Sequence, residues 1–442
     1  MSPTTVALLC LAVLAPTTAR ARVVAVGSVL ASDPRDSRVT LVPGEYPAPG
    51  GAVMLTEPVS LAVPPADVVT ITDEPYVLSN DPPDSWFTAT HLRACMGPAT
   101  VLPDVLVPGS VVVKLADGTV MENGKDYRLA ERWAGVGRVK DGRIPDGALV
   151  LVSYRAARRR IDAVAVDAAG KVTLVRGTPH RATPEPPPVG SGLRRIANIY
   201  RPYGATVVEG WHIFRAGQPF PEPDAAEMAR RGALVPKTLE KLRNGEPVTI
   251  VAWGDSVTVG DDASSADDTY ARVFLTRLRQ RFPKSTITMV NAGISASNTE
   301  GRLPALQREV LAARPDLVTI EFVNDMSLPD DTVRANWRKA LDEIHAAGAE
   351  AIVITPHFTW PEGMKKEHPR GGETRSGVPV LREVAKEKGV ALADASRRWA
   401  HLEEEGIPYT TLLANGINHP DNRGHEMFAR ELLTFFPAED TP

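Results

Sequence analysis

Cysteine is almost missing from this chain: Cys10 and Cys95 are the two it has among 442 residues. Cys10 lies in a short apolar run, Val6 to Ala15, followed by the small-residue pattern Ala19-Arg20-Ala21. Together these read as a secretory signal with its cleavage site, residues 1–21. The run is too short to cross a bilayer, so a secreted or periplasmic protein without a transmembrane segment is expected. Cys95 is then the single cysteine of the mature chain, which excludes an intramolecular disulfide. With no His-bearing motif beside it, Cys95 reads as a small buried hydrophobe rather than a nucleophile.

A dominant charge is lacking too. The chain has 50 Lys and Arg against 54 Asp and Glu, a net of −4, and so weak a field excludes nucleic acid as a partner. The one basic cluster, Arg155 with Arg158, Arg159 and Arg160, reads as a solvated strand end. Neither a Cys/His zinc spacing nor a Gly-Lys-Ser/Thr phosphate loop occurs, so neither a metal nor a cofactor is expected. There is no fixed-period repeat.

The composition that remains, 43% hydrophobic and 24% charged, is that of an ordinary globular protein. The length exceeds the roughly 250 to 300 residues that one hydrophobic core can organise. From about Arg22 to Tyr203 the pattern is short β-branched runs broken by Pro and Gly, as in Val68-Val69-Thr70-Ile71-Thr72-Asp73, which predicts an all-β region. Hairpins are predicted around Asp117-Gly118 and Ala169-Gly170, a strand at Ala148 to Tyr154, and an extended connector at Pro184 to Pro188. Residues 22–105 and 106–220 are taken as two β-rich modules that could equally form one domain.

The period changes after a helical stretch, Asp224 to Arg243, that is interrupted at Pro236 and stopped by Asn244-Gly245. Apolar runs at Val248 to Ala252, Thr286 to Val290, Leu317 to Phe322, Ala351 to Ile354 and Val390 to Ala393 alternate with helix-length segments of 3.6-residue periodicity. Strand and helix in series imply right-handed crossovers and a parallel sheet covered on both faces. Residues 221–442 are therefore expected to be an α/β domain: three layers, α/β/α, flavodoxin-like, with a parallel five-stranded sheet.

Reacting groups in such domains collect at the carboxyl ends of the strands. The first expected strand ends in Gly254-Asp255-Ser256, the second in Asn291-Ala292-Gly293, the third in Asn324-Asp325, and a late His419-Pro420 follows. Each residue alone has a plainer reading, Ser256 as a helix cap and Asn324 as a turn former. Four blocks in order, each at a strand end, resemble the SGNH (GDSL-like) hydrolases over roughly the last 200 residues.

That resemblance implies a cofactor-free serine esterase. Ser256 would be the nucleophile and His419 its base, and the backbone N–H groups of Ser256 and Gly293 with the Asn324 amide would form the oxyanion hole. Two departures stand out. Phe322 replaces the Gly that usually opens the third block, and Gly416 stands three residues before His419, where the family has Asp. Asn415, Asn418 or a backbone carbonyl is therefore expected to hold the histidine ring. The acidic residues Asp261, Asp262, Asp267 and Asp268 lack the spacing of a calcium loop and read as a solvated loop. Asp255 and His357 are expected at the cleft, and His425 in a structural contact. The expected substrate is an ester, an O-acylated and in particular O-acetylated glycan. The alternatives are a glycan-binding or surface-attachment protein with an inactive hydrolase domain, and a lipid esterase or acyltransferase.

Overall fold

A computed structural model describes residues 28–31 and 37–438; the expected signal segment lies outside them. From Val29 to Arg215 the strands pair antiparallel. Val68–Val77 and Val112–Leu115 flank Leu149–Ala157 in one sheet, so pairing crosses residue 105. A second sheet runs in the order Val172–Val175, Arg160–Asp167, Leu193–Arg201, Ile213–Arg215.

The hairpin at Ala169-Gly170 forms, with Val164 opposite Leu174 and Gly170 at a φ of 85°, the left-handed conformation that such turns demand. At Asp117-Gly118 the turn also forms, but its returning arm makes only a single bridge, Val120 to Lys114. The outgoing strand takes its ladder from Leu149–Ala157 instead. That strand, expected at Ala148 to Tyr154, is buried on alternate residues along its first half.

Of the basic cluster, Arg155 is exposed near the strand end as expected, but Arg159 and Arg160 are not solvated. Arg160 is wholly buried and paired with Asp162 at 2.7 Å and with Asp67. Arg159, also buried, donates to the carbonyl of Thr410 at 3.1 Å. A buried guanidinium left without acceptors is strongly unfavourable, so these side chains act as internal ties, Arg159 joining the β region to the following domain.

That domain is a three-layer α/β/α unit. Five parallel strands stand in the order Ile287–Gly293, Val248–Gly254, Leu317–Glu321, Glu350–Ile354, Ala391–Ala393, the flavodoxin-like order 2-1-3-4-5. Side chains of Val248–Gly254 alternate between layers. Ile250 and Ala252 pack with Leu239, Phe274, Leu278, Phe428 and Leu432 on one face, while Val251 and Trp253 pack with Trp337, Leu341, Leu381 and Val384 on the other.

Each fully buried side chain of this size contributes about 1.5–3 kcal/mol relative to exposure, so the two faces fix the register of the sheet and with it the position of its strand ends. Pro236 begins the helix Pro236–Asn244 after the interruption expected there, and Gly245 ends it at a φ of 72°. The helical segment between the second and third strands is broken into Thr299–Arg302, Leu303–Ala305 and Leu306–Glu309, consistent with the missing N–H of Pro304.

Candidate active site

The sheet reverses strand order between Val248–Gly254 and Leu317–Glu321, and the site lies at the carboxyl ends of these two strands. Gly254 closes the first. A Cβ there would fall 2.1 Å from Thr258 Oγ1 and 2.2 Å from the carbonyl of Glu321, so only glycine lets the chain turn sharply into the one-turn helix Ser256–Val259. Asp255 caps that helix: one carboxylate oxygen accepts the N–H of Val257 at 3.1 Å and the other that of Asn324 at 3.0 Å. Ser256 follows as the first helical residue, where an N–H has no intrahelical acceptor.

His419 bridges two distant parts of the chain. Its Nε2 lies 2.9 Å from Ser256 Oγ and its Nδ1 lies 2.6 Å from Asp262 Oδ2. All three residues are buried. A carboxylate on Nδ1 fixes the tautomer in which Nε2 faces the hydroxyl, and it stabilises the imidazolium that forms when the hydroxyl loses its proton. After Val259, Gly260 takes a φ of 94° and Asp262 one of 64°. These two left-handed residues reverse the chain and carry the Asp262 carboxylate back to the ring. Its other oxygen, Oδ1, accepts the backbone N–H of Ala99 at 2.7 Å.

Asp262 corrects two expectations. It is not part of a solvated loop, although Asp267 nearby is exposed. The ring is not held by asparagine. Asn415 Oδ1 accepts the backbone N–H groups of Ile417, Asn418 and His419, each at 2.9 Å, and its amide donates to Asn418 Oδ1. Both asparagines shape the loop that presents His419 without bonding its ring.

The oxyanion donors are brought together only in part. Asn324 donates one amide hydrogen to the carbonyl of Ser297 at 3.0 Å, which aims the side chain and leaves a second hydrogen for a substrate oxygen. The N–H of Gly293 is engaged by Asn291 Oδ1 at 2.9 Å, and Asn291 in turn donates to the carbonyl of Thr258. Gly293 serves packing here, because a Cβ would lie 2.6 Å from the backbone nitrogen of Val259 in the helix that carries Ser256.

Asp255 and His357, expected at the cleft, are both wholly buried. Burial pushes the Asp255 carboxyl well above the usual carboxylate range, and Glu321, buried nearby, is raised in the same way. His357 Nε2 lies 2.8 Å from the carbonyl of Asn418, and burial holds the ring neutral. His425 accepts the N–H of Tyr270 at 3.2 Å and is buried beneath that ring, a structural contact. Cys95 is buried, which raises its thiol to about 12. Among the described residues, three or more His, Cys, Asp or Glu side chains nowhere gather as a metal-holding group, and no helix is long and apolar enough to cross a membrane.

Residues 252–427 match the family described as GDSL-like Lipase/Acylhydrolase. Among solved structures, the chain is similar to a two-domain esterase active on acetylated mannans, with 17% identity and a TM-score of 0.40 over 50% of this chain and 57% of that one. It is also similar to an acetyl xylan esterase from Geobacillus stearothermophilus, with 22% identity and a TM-score of 0.37 over 44% of this chain and 97% of that one. The chain thus spans little more than half the length of the two-domain esterase. None of the curated proteins matches it.

Proposed function

With residues 252–427 matching the GDSL-like lipase/acylhydrolase family, we propose that this protein is a serine carboxylic ester hydrolase acting through Ser256, His419 and Asp262. The observation that carries the reading is the unbroken line of hydrogen bonds from Asp262 through both ring nitrogens of His419 to Ser256 Oγ. Ser256 Oγ attacks the ester carbonyl while His419 Nε2 takes its proton. The tetrahedral oxyanion is received by the N–H of Ser256 and the free amide hydrogen of Asn324. His419 returns the proton to the departing alcohol, leaving an acyl-serine. Water, deprotonated by the same nitrogen, then attacks the acyl carbon and releases the acid and Ser256.

The substrate class we propose is an O-acylated, chiefly O-acetylated, carbohydrate. Beside the His419 loop, Trp360 donates its backbone N–H to the carbonyl of Ile417 at 2.6 Å. Its ring lies 6.3 Å from that of Trp133 of the β region. Both rings are partly exposed, and aromatic side chains with one apolar face and one polar edge suit a ligand that is itself part apolar and part hydroxylated. Export from the cell, argued from residues 1–21, belongs to the same proposal and would place the enzyme beside extracellular polysaccharide.

The test is acetate release from an O-acetylated oligosaccharide by the full chain and by Ser256→Ala, with a phospholipid and an acyl thioester as comparators. Release by the wild type alone, and preference for the saccharide, is the expected result. Hydrolysis confined to the phospholipid would overturn the carbohydrate assignment. The reading as a binding protein with an inactive hydrolase domain rested on a missing acid, and Asp262 supplies one.

A further inference from the structure

Asp262 has a partner that its own domain does not provide. One carboxylate oxygen faces His419; the other accepts the N–H of Ala99, and the Thr100 hydroxyl lies 3.5 Å from Oδ2. Ala99 and Thr100 form the tip of a small hairpin of the β region. The hairpin is closed by the bridge of Met96 with Val101 and by the N–H of Gly97 on the carbonyl of Thr100 at 2.7 Å. Its base is rooted in the β-region core, where Cys95, Val101 and Leu102 are wholly buried, so the tip is held by packing.

The same hairpin touches the second loop of the triad. A Cβ on Gly97 would lie 3.1 Å from the carbonyl of Ala414, and one on Gly416 would lie 3.3 Å from the Pro103 ring. The Asp262 loop and the His419 loop come from opposite ends of the α/β domain sequence, and the hairpin packs against both. Asp262 needs such support. It sits in a left-handed conformation, and beyond the half-buried Ala263 the loop is exposed at Ser264 and Ser265; an aspartate held through one oxygen alone can swing about its side-chain torsions. A backbone N–H on the second oxygen makes a charge-assisted bond that removes this freedom.

We propose that the β region is a working part of the hydrolytic centre: its 96–101 hairpin, through the backbone N–H of Ala99, is a positioning element that sets the Asp262 carboxylate against His419. This rests on the reading of Ser256, His419 and Asp262 as a hydrolytic triad. It differs from a role in substrate capture, because the hairpin acts on the acid and not on the ligand.

The test compares the full chain with Ala99→Pro, which deletes the N–H, with Asp262→Ala, and with the double variant. One readout is the rate at which Ser256 is labelled by a fluorophosphonate; others are kcat and KM on a small activated acetyl ester and the thermal midpoint. The expected result for Ala99→Pro is a fall of about tenfold in labelling rate and kcat, the loss of one hydrogen bond to a charged group. KM and the thermal midpoint stay nearly unchanged.

In the Asp262→Ala background the same substitution should have almost no further effect, since the residue it acts through is gone. Should Ala99→Pro fail to fold, Gly97→Ala, which presses the hairpin off Ala414, takes its place in the same comparison. Equal rates for wild type and variant, or an equal loss with and without Asp262, would overturn the proposal while leaving the triad intact. Absence of labelling in the wild type would remove the triad reading, and this inference with it.

Discussion

Asp262 Oδ2 stands 2.6 Å from Nδ1 of His419, although 157 residues separate the two in the chain. The carboxylate comes from the loop that follows Ser256 rather than from the segment that precedes the histidine. Asp262→Asn keeps the shape of the group but removes the charge and favours the wrong tautomer of the ring. In triads of this geometry that change lowers kcat by about ten-thousandfold. The same loss, with KM little changed, is expected here in steady-state hydrolysis of an activated ester. Retention of a tenth or more of the wild-type kcat would mean that another group orients the ring.

Asn415 should behave differently. Truncating it to alanine strips the acceptor from three backbone N–H groups of the His419 loop. A buried donor left unpaired costs about 1–3 kcal/mol. Asn415→Ala should therefore lower stability in urea unfolding by at least about 2 kcal/mol and should reduce kcat far less than Asp262→Asn. Asn418→Ala, which leaves those donors satisfied, should do little to either.

Most of the site could be read from the chain, and the reason is positional. Ser256, Asn324 and His419 each follow a recognisable strand or close a late block, so strand counting places them at one edge of the sheet. Asp262 could not be singled out in this way. It stands among Asp261, Asp267 and Asp268 with the composition of a solvated loop, and only the paired left-handed turns at Gly260 and Asp262 reveal which carboxylate points inward. The absence of Asp three residues before His419 was the available signal, and it called for a carboxylate elsewhere rather than an asparagine nearby. Gly293 stands where the resemblance implies an oxyanion donor, but its N–H is engaged by Asn291, a contact two residues away that strand periodicity does not convey. Arg159 and Arg160 misled for a different reason: in a strand next to acidic and carbonyl partners from other elements, arginine is an internal tie.

Gly293→Ala tests the close approach of Gly293 to Val259. The added methyl would lie 2.6 Å from the backbone nitrogen of Val259, and the short helix must shift to relieve it. A displacement of about 1 Å at a reacting group costs about a hundredfold in rate. A loss of that size in kcat, with the variant still folded by circular dichroism, is expected. Unchanged kcat would show that the helix can move without carrying Ser256 away from His419.

Buried neutral histidines should make the fold sensitive to mild acid. Burial lowers His425 to about 3 and His212 to about 4, and both rings use Nδ1 as an acceptor, for Tyr270 and Glu209 respectively. An unfolded histidine titrates near about 6.5. Between those values the unfolded chain binds more protons than the folded one, so stability rises with pH. Each contribution is complete above about pH 6.5 and is lost as pH falls towards the folded value. Between pH 7 and 5 each ring should lower the unfolding free energy by about 2 kcal/mol. Urea titrations at the two pH values, with His425→Gln as the comparison, measure this; the variant should lose about 2 kcal/mol less over the same interval. A decline of the same steepness in both would exclude His425 as a source.

The most direct measurement is hydrolysis of a small activated acetyl ester by the purified protein beside its Ser256→Ala variant. Turnover by the wild type, with acetate found covalently on Ser256 when the reaction is quenched early, and no turnover above background in the variant, is the expected result. Equal hydrolysis by both proteins, or an acyl group trapped on any other residue, would contradict the assignment of Ser256 as the nucleophile held by His419 and Asp262.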